Sequence, residues 1–310
     1  MKIEVIIPNY NGFSLISKNL THVLDSISDY DGASVTIVDD FSKQEEREKL
    51  KNFINEINKK LSTPIELLLN EKNYGFSTTV DNGGFASSAD LLVLLNSDVK
   101  PDKDFLKPIL KHFENNPNLF GVGCMDKSVE TEGVVLRGRG LGKFEKGMVQ
   151  HSRGEVNRNE TFWISGGSSV VRRKVFALLE GFDQIYNPFY WEDIDISYRA
   201  RKSGYEILFE KESVVEHRHE EGAIKKHYDD TRIKTMAYRN QFIFHWKNIT
   251  DPSMFISHFL WLPYHFLGAI KRGDKAFFKG FVLALKRIPA IILKRNKQKK
   301  LYKKKDFDLF

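Results

Sequence analysis

The sequence predicts an α/β fold in which a mostly parallel sheet carries helices on both faces and a helical extension follows. Three observations support this. Short, nearly continuous apolar runs recur through the first hundred residues with helix-like stretches between them: Val5-Ile6-Ile7, Val35-Thr36-Ile37-Val38, Ile65 to Leu69 and Leu91 to Leu95. Such runs are the mark of strands buried on both faces. The polar clusters Pro8-Asn9-Tyr10-Asn11-Gly12, Asp39-Asp40 and Asn96-Ser97-Asp98 directly follow three of them, and open α/β sheets bind ligands beyond the carboxyl ends of their strands. From residue 251 the chain becomes first strongly apolar and then basic, which separates 251–310 from 1–250.

The elements follow in order. Residues 3–8 open the sheet, and the next three runs add strands up to about residue 100. Residues 120–175 are irregular and rich in glycine; Gly138-Arg139-Gly140-Leu141-Gly142 lacks a strand-to-helix setting and reads as a loop. The ending Arg199-Ala200-Arg201-Lys202-Ser203-Gly204 has the cations and then the glycine of a helix C-terminus, which places Glu192 and Asp193 in the first turn of that helix. Two strand-like pieces, 205–209 and 213–216, lead to His217-Arg218-His219, and a long helix is expected from about Ala223 to Trp246. Residues 254–270 and 276–293 are apolar but interrupted by His258, Pro263, Lys279, Lys286, Arg287 and Pro289. Neither supplies the roughly 20 clean apolar residues of a membrane span. An interfacial helix pair fits better, with Phe, Trp and Leu toward the acyl boundary and cations toward lipid phosphates.

At 310 residues with 41% hydrophobic content, the chain can bury a sizeable core, so disorder is excluded for most of it. A single cysteine, Cys124, allows no internal disulfide, and no charged-then-apolar leader precedes the first strand, so a cytoplasmic protein is expected. With no cation or histidine near it in sequence, Cys124 reads as a core residue. The net charge of +7 is uneven: residues 271–310 hold 14 Lys and Arg against three Asp, leaving the rest slightly acidic. A basic segment of this kind seeks phosphate. The acidic body argues against nucleic acid, so an anionic membrane surface is the expected partner, with Lys294 to Lys300 and Lys303-Lys304-Lys305 extending the attraction. No G-x-G-x-x-G follows the first strand and no G-x-x-x-x-G-K-[ST] occurs, which argues against dinucleotide oxidoreductases and P-loop NTPases.

Taken together, these motifs resemble the family 2 glycosyltransferases, inverting enzymes of the GT-A fold that transfer a sugar from a nucleoside diphosphate; the likeness spans roughly residues 3–245. It implies a nucleotide-binding half over 1–100 and an acceptor-binding half over 101–250. Pro8 and Tyr10 match the opening P-x-Y-N, and Asp39 and Asp40 the acidic pair that contacts base and ribose. Gly75, within Asn73-Tyr74-Gly75-Phe76, and Asn82 match the motif beside the nucleotide. Asn96-Ser97-Asp98 stands in place of the D-x-D metal motif. Its first acid is Asn96 here, so Asp98 is left as the main ligand of a divalent metal, Mn or Mg. His217 resembles the histidine that completes metal or diphosphate binding in some members, and His219 competes for that assignment. Trp191-Glu192-Asp193 matches the motif whose Asp is the catalytic base, with Glu192 and Trp191 in an acceptor-binding role, and Gly166-Gly167 the small-residue turn on the acceptor side.

The resemblance thus implies a UDP- or dTDP-sugar as donor, a glycan or lipid-linked acceptor, and work on cell-surface polysaccharide at the inner face of the membrane. The N-x-D and W-E-D motifs lean toward rhamnosyltransferase-like bacterial members. Among rival functions, a sugar-nucleotide pyrophosphorylase needs a glycine-rich basic loop after the first strand, which Asn9-Tyr10-Asn11-Gly12 does not supply, and a non-catalytic sugar-nucleotide binder has no need for both Asp98 and Asp193.

Overall fold

The computed structural model describes residues 1–61, 64–130, 133–217 and 228–310. Strands β1 (Ile3–Asn9), β2 (Ser34–Asp39), β3 (Glu66–Leu69) and β4 (Leu91–Leu95) coincide with the four apolar runs and pair in parallel in the order β3-β2-β1-β4. The sheet continues through β10 (Ser168–Arg172), antiparallel to both β4 and β6 (Leu119–Glu130), then through β11 (Glu206–His217) to β5 (Val99–Pro101) at the edge. Strand β7 (Gly133–Arg137) pairs with the far end of β6.

Alternate side chains of β1 supply opposite faces, as a period of two requires. Ile3, Val5 and Ile7 pack under helix α1 (Phe13–Ile27), whose Ile16, Leu20, Val23 and Ile27 recur at helical spacing. Helices α2 (Gln44–Asn58) and α4 (Leu106–Asn115) cover the same face through Leu50, Ile54, Leu106 and Ile109. Ile6 points the other way, into a cluster with Val80 of α3 (Phe76–Ala86), Phe176 of α5 (Arg173–Leu178) and Ile196 of α6 (Glu192–Lys202). Gly83 of α3 lies so close to the sheet that a Cβ there would sit 2.8 Å from Ile6 and 2.9 Å from Val38. Cys124 is buried in the first core, and burial pushes its thiol up to about 12.

Three sequence expectations change. The glycine-rich stretch read as a loop contributes strand β8 (Gly140–Glu145), which forms a hairpin with β9 (Met148–Arg153). Gly140 and Gly142 share one strand face, and a Cβ at either would lie 2.2 Å from the rings of Trp163 and Phe162 respectively; they make room for aromatics rather than a turn. The two strand pieces after α6 are one strand, β11, with an irregularity between Glu210 and Val214. The long helix is α7 (Asp230–Asn248), capped by Asp229 after the non-helical Tyr228; residues 223–227 of the expected span and His219 lie outside the described residues.

Helices α8 (Pro252–Lys271), α9 (Lys275–Leu285) and α10 (Ile288–Gln298) complete the chain. Met254, Phe277, Ala284, Ile291 and Leu309 share one apolar core with Val149, Trp191, Tyr198 and Phe244. The basic C-terminal stretch is not a free tail. Asp306, fully buried, accepts from Tyr198 Oη at 2.5 Å, from the Thr250 and Asp251 amides at 2.6 and 2.7 Å, and from Lys202. Arg295 caps the end of α7 through the Ile249 carbonyl, and Lys294 pairs with the buried Asp183 at 2.7 Å. A charge tally along the sequence cannot show this, because each partner lies far away in the chain.

Candidate active site

The carboxyl ends of β1, β2 and β4 meet along one edge of the sheet, and the loops that leave them are tied together by side chains. Asn9 ends β1 and donates from Nδ2 to Asp39 Oδ1 at 2.9 Å. Asn11 accepts at Oδ1 from the Lys43 amide at 2.8 Å, while its own amide donates to Ser42 Oγ at 2.7 Å. Gly12 leaves no room for a side chain, since a Cβ would sit 2.8 Å from Asn9 Oδ1. Pro8 lies within β1 beside Val38, and Tyr10 is exposed.

Asp39 is fully buried and is held by Asn9, by Ser42 Oγ at 2.5 Å and by Arg47 Nε at 3.0 Å. A direct contact with a ribose or base would require the Arg47 pair to open. Asp40 braces the next loop, accepting from the Tyr74 and Gly75 amides, each at 2.8 Å, and from Asn70 Nδ2 at 2.9 Å. Gly75 has φ +84°, ψ 170°, a conformation open to glycine and costly for other residues. Asn82 donates to Asn70 Oδ1 at 2.8 Å and so stands one residue removed from this loop. The two aspartates and Asn82 thus brace these loops, beside which Tyr10 and Phe41 are exposed.

After β4, the amide of Asn96 donates to the Gly167 carbonyl at 2.9 Å. Asn96 Oδ1 and Asp98 Oδ1 are buried with no hydrogen-bond partner among the described residues. The other Asp98 oxygen lies 3.3 Å from His217 Nε2, and His217 Nδ1 lies 2.9 Å from Asp126 Oδ2. Burial opposes charge on His217, but hydrogen bonds to Asp126 and Asp98 outweigh it and raise the imidazole to about 9. No group of three or more His, Cys, Asp or Glu that could hold a metal occurs among the described residues. Asp98 and, once it gives up the proton that Asp98 and Asp126 hold on it, His217 would offer at most two ligands, and a hard divalent cation held by one or two protein groups fills its remaining positions with phosphate oxygens and water. The unpartnered Asp98 oxygen fits that chemistry.

Glu192 and Asp193 begin α6 as the sequence predicts. The chain enters this helix through Tyr190 and Trp191, both left-handed at φ +70° and +76°, a strain of about 1–3 kcal/mol per residue. Asn240 of α7, fully buried, holds the entry by donating from Nδ2 to the carbonyls of Tyr186, Phe189 and Tyr190 at 2.8–2.9 Å. Asp193 accepts from the Ile194 amide at 2.8 Å, and the nearby Gly166 amide also favours its charged form. Desolvation raises its carboxyl above the usual range against these hydrogen bonds. Glu192 is raised too, by desolvation and then by the charge of Asp193, and its Oε2 has no partner among the described residues. Both side chains remain partly open to the crevice. Trp191 is buried, with the His151 ring edge-on at 4.9 Å. Asp195, one turn on, belongs to the scaffold: it is buried against Arg199 at 2.6 Å and Lys247 at 2.8 Å.

One turn joins the two clusters. The Gly166 amide lies beside Asp193 and favours its charge, and Gly167 accepts from the Asn96 amide so closely that a Cβ there would meet Asn96 Nδ2 at 2.4 Å. The predicted Gly166-Gly167, Asn96, Asp98, Glu192 and Asp193 are thus brought together. Asp126, His151 and Asn240 went unpredicted; none carries a local motif, and their roles depend on partners about 40–90 residues away.

The Glycosyl transferase family 2 model matches residues 4–179. The chain belongs to glycosyltransferase family 2. This family 2 glycosyltransferase is 25% identical over 161 residues to the pre-mycofactocin glycosyltransferase of Mycobacterium tuberculosis, a match covering 50% of this chain and 32% of the relative. It therefore spans about a third of that relative's length. Solved structures with the same fold include GalNAc-T7 with UDP, GalNAc and Mn2+ (TM-score 0.63, 17% identity, 79% of this chain and 47% of that one). The mannosyltransferase PcManGT of Pyrobaculum calidifontis with GDP-Man and Mn2+ matches at TM-score 0.57 and 15% identity, over 97% of this chain and 81% of that one. Residues 1–349 of S. aureus TarS with UDP match at 0.58 and 14%, over 97% and 89%. The fold is that of the GT-A glycosyltransferases.

Proposed function

We propose that this family 2 glycosyltransferase moves a sugar, with inversion, from a UDP- or dTDP-linked donor to a hydroxyl of a glycan or lipid-linked acceptor, in the assembly of cell-surface polysaccharide at the cytoplasmic face of a membrane. The observation that carries the reading is the Gly166-Gly167 turn, whose Gly167 carbonyl accepts from the amide of Asn96, two residues from Asp98, and whose Gly166 amide lies beside the carboxylate of Asp193. A base and a diphosphate site must lie on opposite sides of one anomeric carbon for direct displacement, and a shared turn fixes their separation.

The nucleoside lies along the loops that Asp39 and Asp40 brace, with Tyr10 and Gly75 beside it and Pro8 and Asn82 supporting those loops. Asp98 and His217 would hold a divalent cation, Mn or Mg, with Asn96 alongside. Such a cation neutralises charge on the leaving diphosphate. Asp193 accepts the proton of the attacking hydroxyl, and its raised basicity, conferred by desolvation, suits a general base near neutral pH. Glu192 orients the acceptor through its unpartnered oxygen, and Trp191 and Gly166 shape that side of the crevice. The PcManGT and GalNAc-T7 structures, each with Mn2+, support the metal.

Calorimetric titration of UDP, dTDP and GDP, with and without manganese, tests the reading. Metal-dependent binding of one diphosphate by the wild type, lost in Asp98→Ala, is expected. Equal binding by the variant would remove Asp98 from the diphosphate site.

A further inference from the structure

Helix α8 has a face that no described residue covers. Residues 252–270 contain no Asp, Glu, Lys or Arg. Met254, His258 and Ala269 turn inward, whereas Ile256, Phe259, Leu260, Leu267 and Ile270, at helical spacing on the other side, are 53–75% exposed. Trp261 and Tyr264 flank this stripe and are also exposed. Leu293 of α10, 73% exposed, and Val282 of α9, 49% exposed, add to the apolar surface of the next two helices. An apolar surface of this extent marks an interaction site.

Its charge says what it meets. The exposed cations Lys271, Arg272, Lys275, Lys279, Lys286 and Arg287 lie at the end of α8 and along α9, and no Asp or Glu occurs between Asp274 and Asp306. A second copy docked through this face would bring two basic rims together, whereas an anionic bilayer offers acyl chains to the stripe and phosphates to the rim. No helix among the described residues is long and apolar enough to cross a membrane, so α8 would lie in the surface.

The tip of the β8–β9 hairpin rests on this helix. His265 Nε2 is 2.8 Å from the Lys146 carbonyl, and His258 Nδ1 is 2.8 Å from that of Gly147. Toward the other end of β9, His151 abuts Trp191, which precedes Glu192 and Asp193.

We propose that the exposed face of α8, with α9 and α10, seats the protein on an anionic lipid bilayer, and that the β8–β9 hairpin separates the acceptor side of the crevice from α8 by the four residues from Gly147 to His151, roughly 13 Å. The helix face is the apolar anchor; of the basic C-terminal stretch, Lys294 and Arg295 turn into the fold, whereas Lys299, Lys300, Lys303, Lys304 and Lys305 stay exposed. The exposed stripe does not depend on the transferase reading.

Flotation with vesicles of phosphatidylcholine, with and without phosphatidylglycerol, tests the proposal on the full chain. Wild type should float with the anionic vesicles, less so at high salt, and Leu260→Glu/Leu267→Glu/Ile270→Glu should lower the partition coefficient about a hundredfold or more. The three positions are exposed, so the melting curve and nucleotide binding should stay at wild-type values. Equal flotation of wild type and variant, or no flotation of wild type, would overturn the proposal. So would light scattering that finds a wild-type dimer made monomeric by the three substitutions, because a second copy would then own the face. Loss of transfer chemistry with flotation intact would count against the transferase reading alone.

Discussion

Replacing Asp193 by Asn should do two opposite things at once. The residue begins α6, where an acid normally gains about 0.3–1 kcal/mol from the helix dipole, so neutralising an ordinary acid there destabilises. Here desolvation raises the Asp193 carboxyl despite the hydrogen bond from the Ile194 amide and the favourable Gly166 amide beside it. A carboxyl raised by folding binds more protons folded than unfolded. Stability is therefore lost as pH climbs from the ordinary value of about 3.9 through the raised one, and stays lost at neutral pH. Holding a carboxyl tenfold more basic than in the unfolded chain costs about 1.4 kcal/mol at neutral pH, and the partial opening to the crevice reduces the effect. Asn, which keeps an acceptor oxygen in the same place, should then stabilise the ligand-free protein by about 1–2 kcal/mol at neutral pH, or on the order of 3 °C in Tm. The gain should shrink as the pH approaches about 4, where the wild-type carboxyl is protonated. Transfer should meanwhile fall by about 10²–10⁴-fold with nucleotide affinity intact. Thermal melts across the pH range, with a transfer assay at neutral pH, check both arms. A variant less stable than wild type at neutral pH would refute the desolvation argument, and near-normal transfer would refute the assignment of the base.

Further outcomes follow from other parts of the structure. Gly167→Ala forces a methyl to within 2.4 Å of Asn96 Nδ2, so Asn96 must move; transfer should drop while the melting temperature changes little, read by kinetics and melts together. Gly75→Ala meets only ordinary contacts at 3.6 Å, so its cost is the backbone at φ +84°, about 1–3 kcal/mol, and calorimetry should show weaker nucleotide binding. Asp195→Ala leaves Arg199 and Lys247 buried beside one fewer counter-charge and should cost about 3–5 kcal/mol in denaturant unfolding. His245 is fully buried and stacked on His258 at 4.0 Å, and desolvation holds it well below its ordinary value. Because only the unfolded chain takes up that proton easily, stability is lost as pH falls below about 6.5. His245→Phe, between Phe144 and Phe255, should remove about 2 kcal/mol of the loss measured near pH 5.

What the sequence made legible was local. Strands β1 to β4 could be placed from their apolar runs, and Asn96, Asp98, Glu192 and Asp193 from their positions at strand ends and a helix start, because burial and capping act over a few residues. Function enters elsewhere through pairs far apart in the chain. Asp39 could be singled out as a nucleotide contact, but not the Arg47 and Asn9 side chains that hold it in place. His217 could be singled out, but not Asp126, 91 residues away, which orients it. The glycines at 140 and 142 looked like a loop because nothing nearby shows that Trp163 and Phe162 need their space. The C-terminal segment makes the point most sharply. Its charge predicted attraction to phosphate, and the exposed cations of α9 remain available for it, but Lys294 and Arg295 answer to Asp183 and Ile249 instead. A cation's role depends on whether a buried acceptor lies within about 3 Å of it, and that is a property of the fold which residue counts along the chain do not carry.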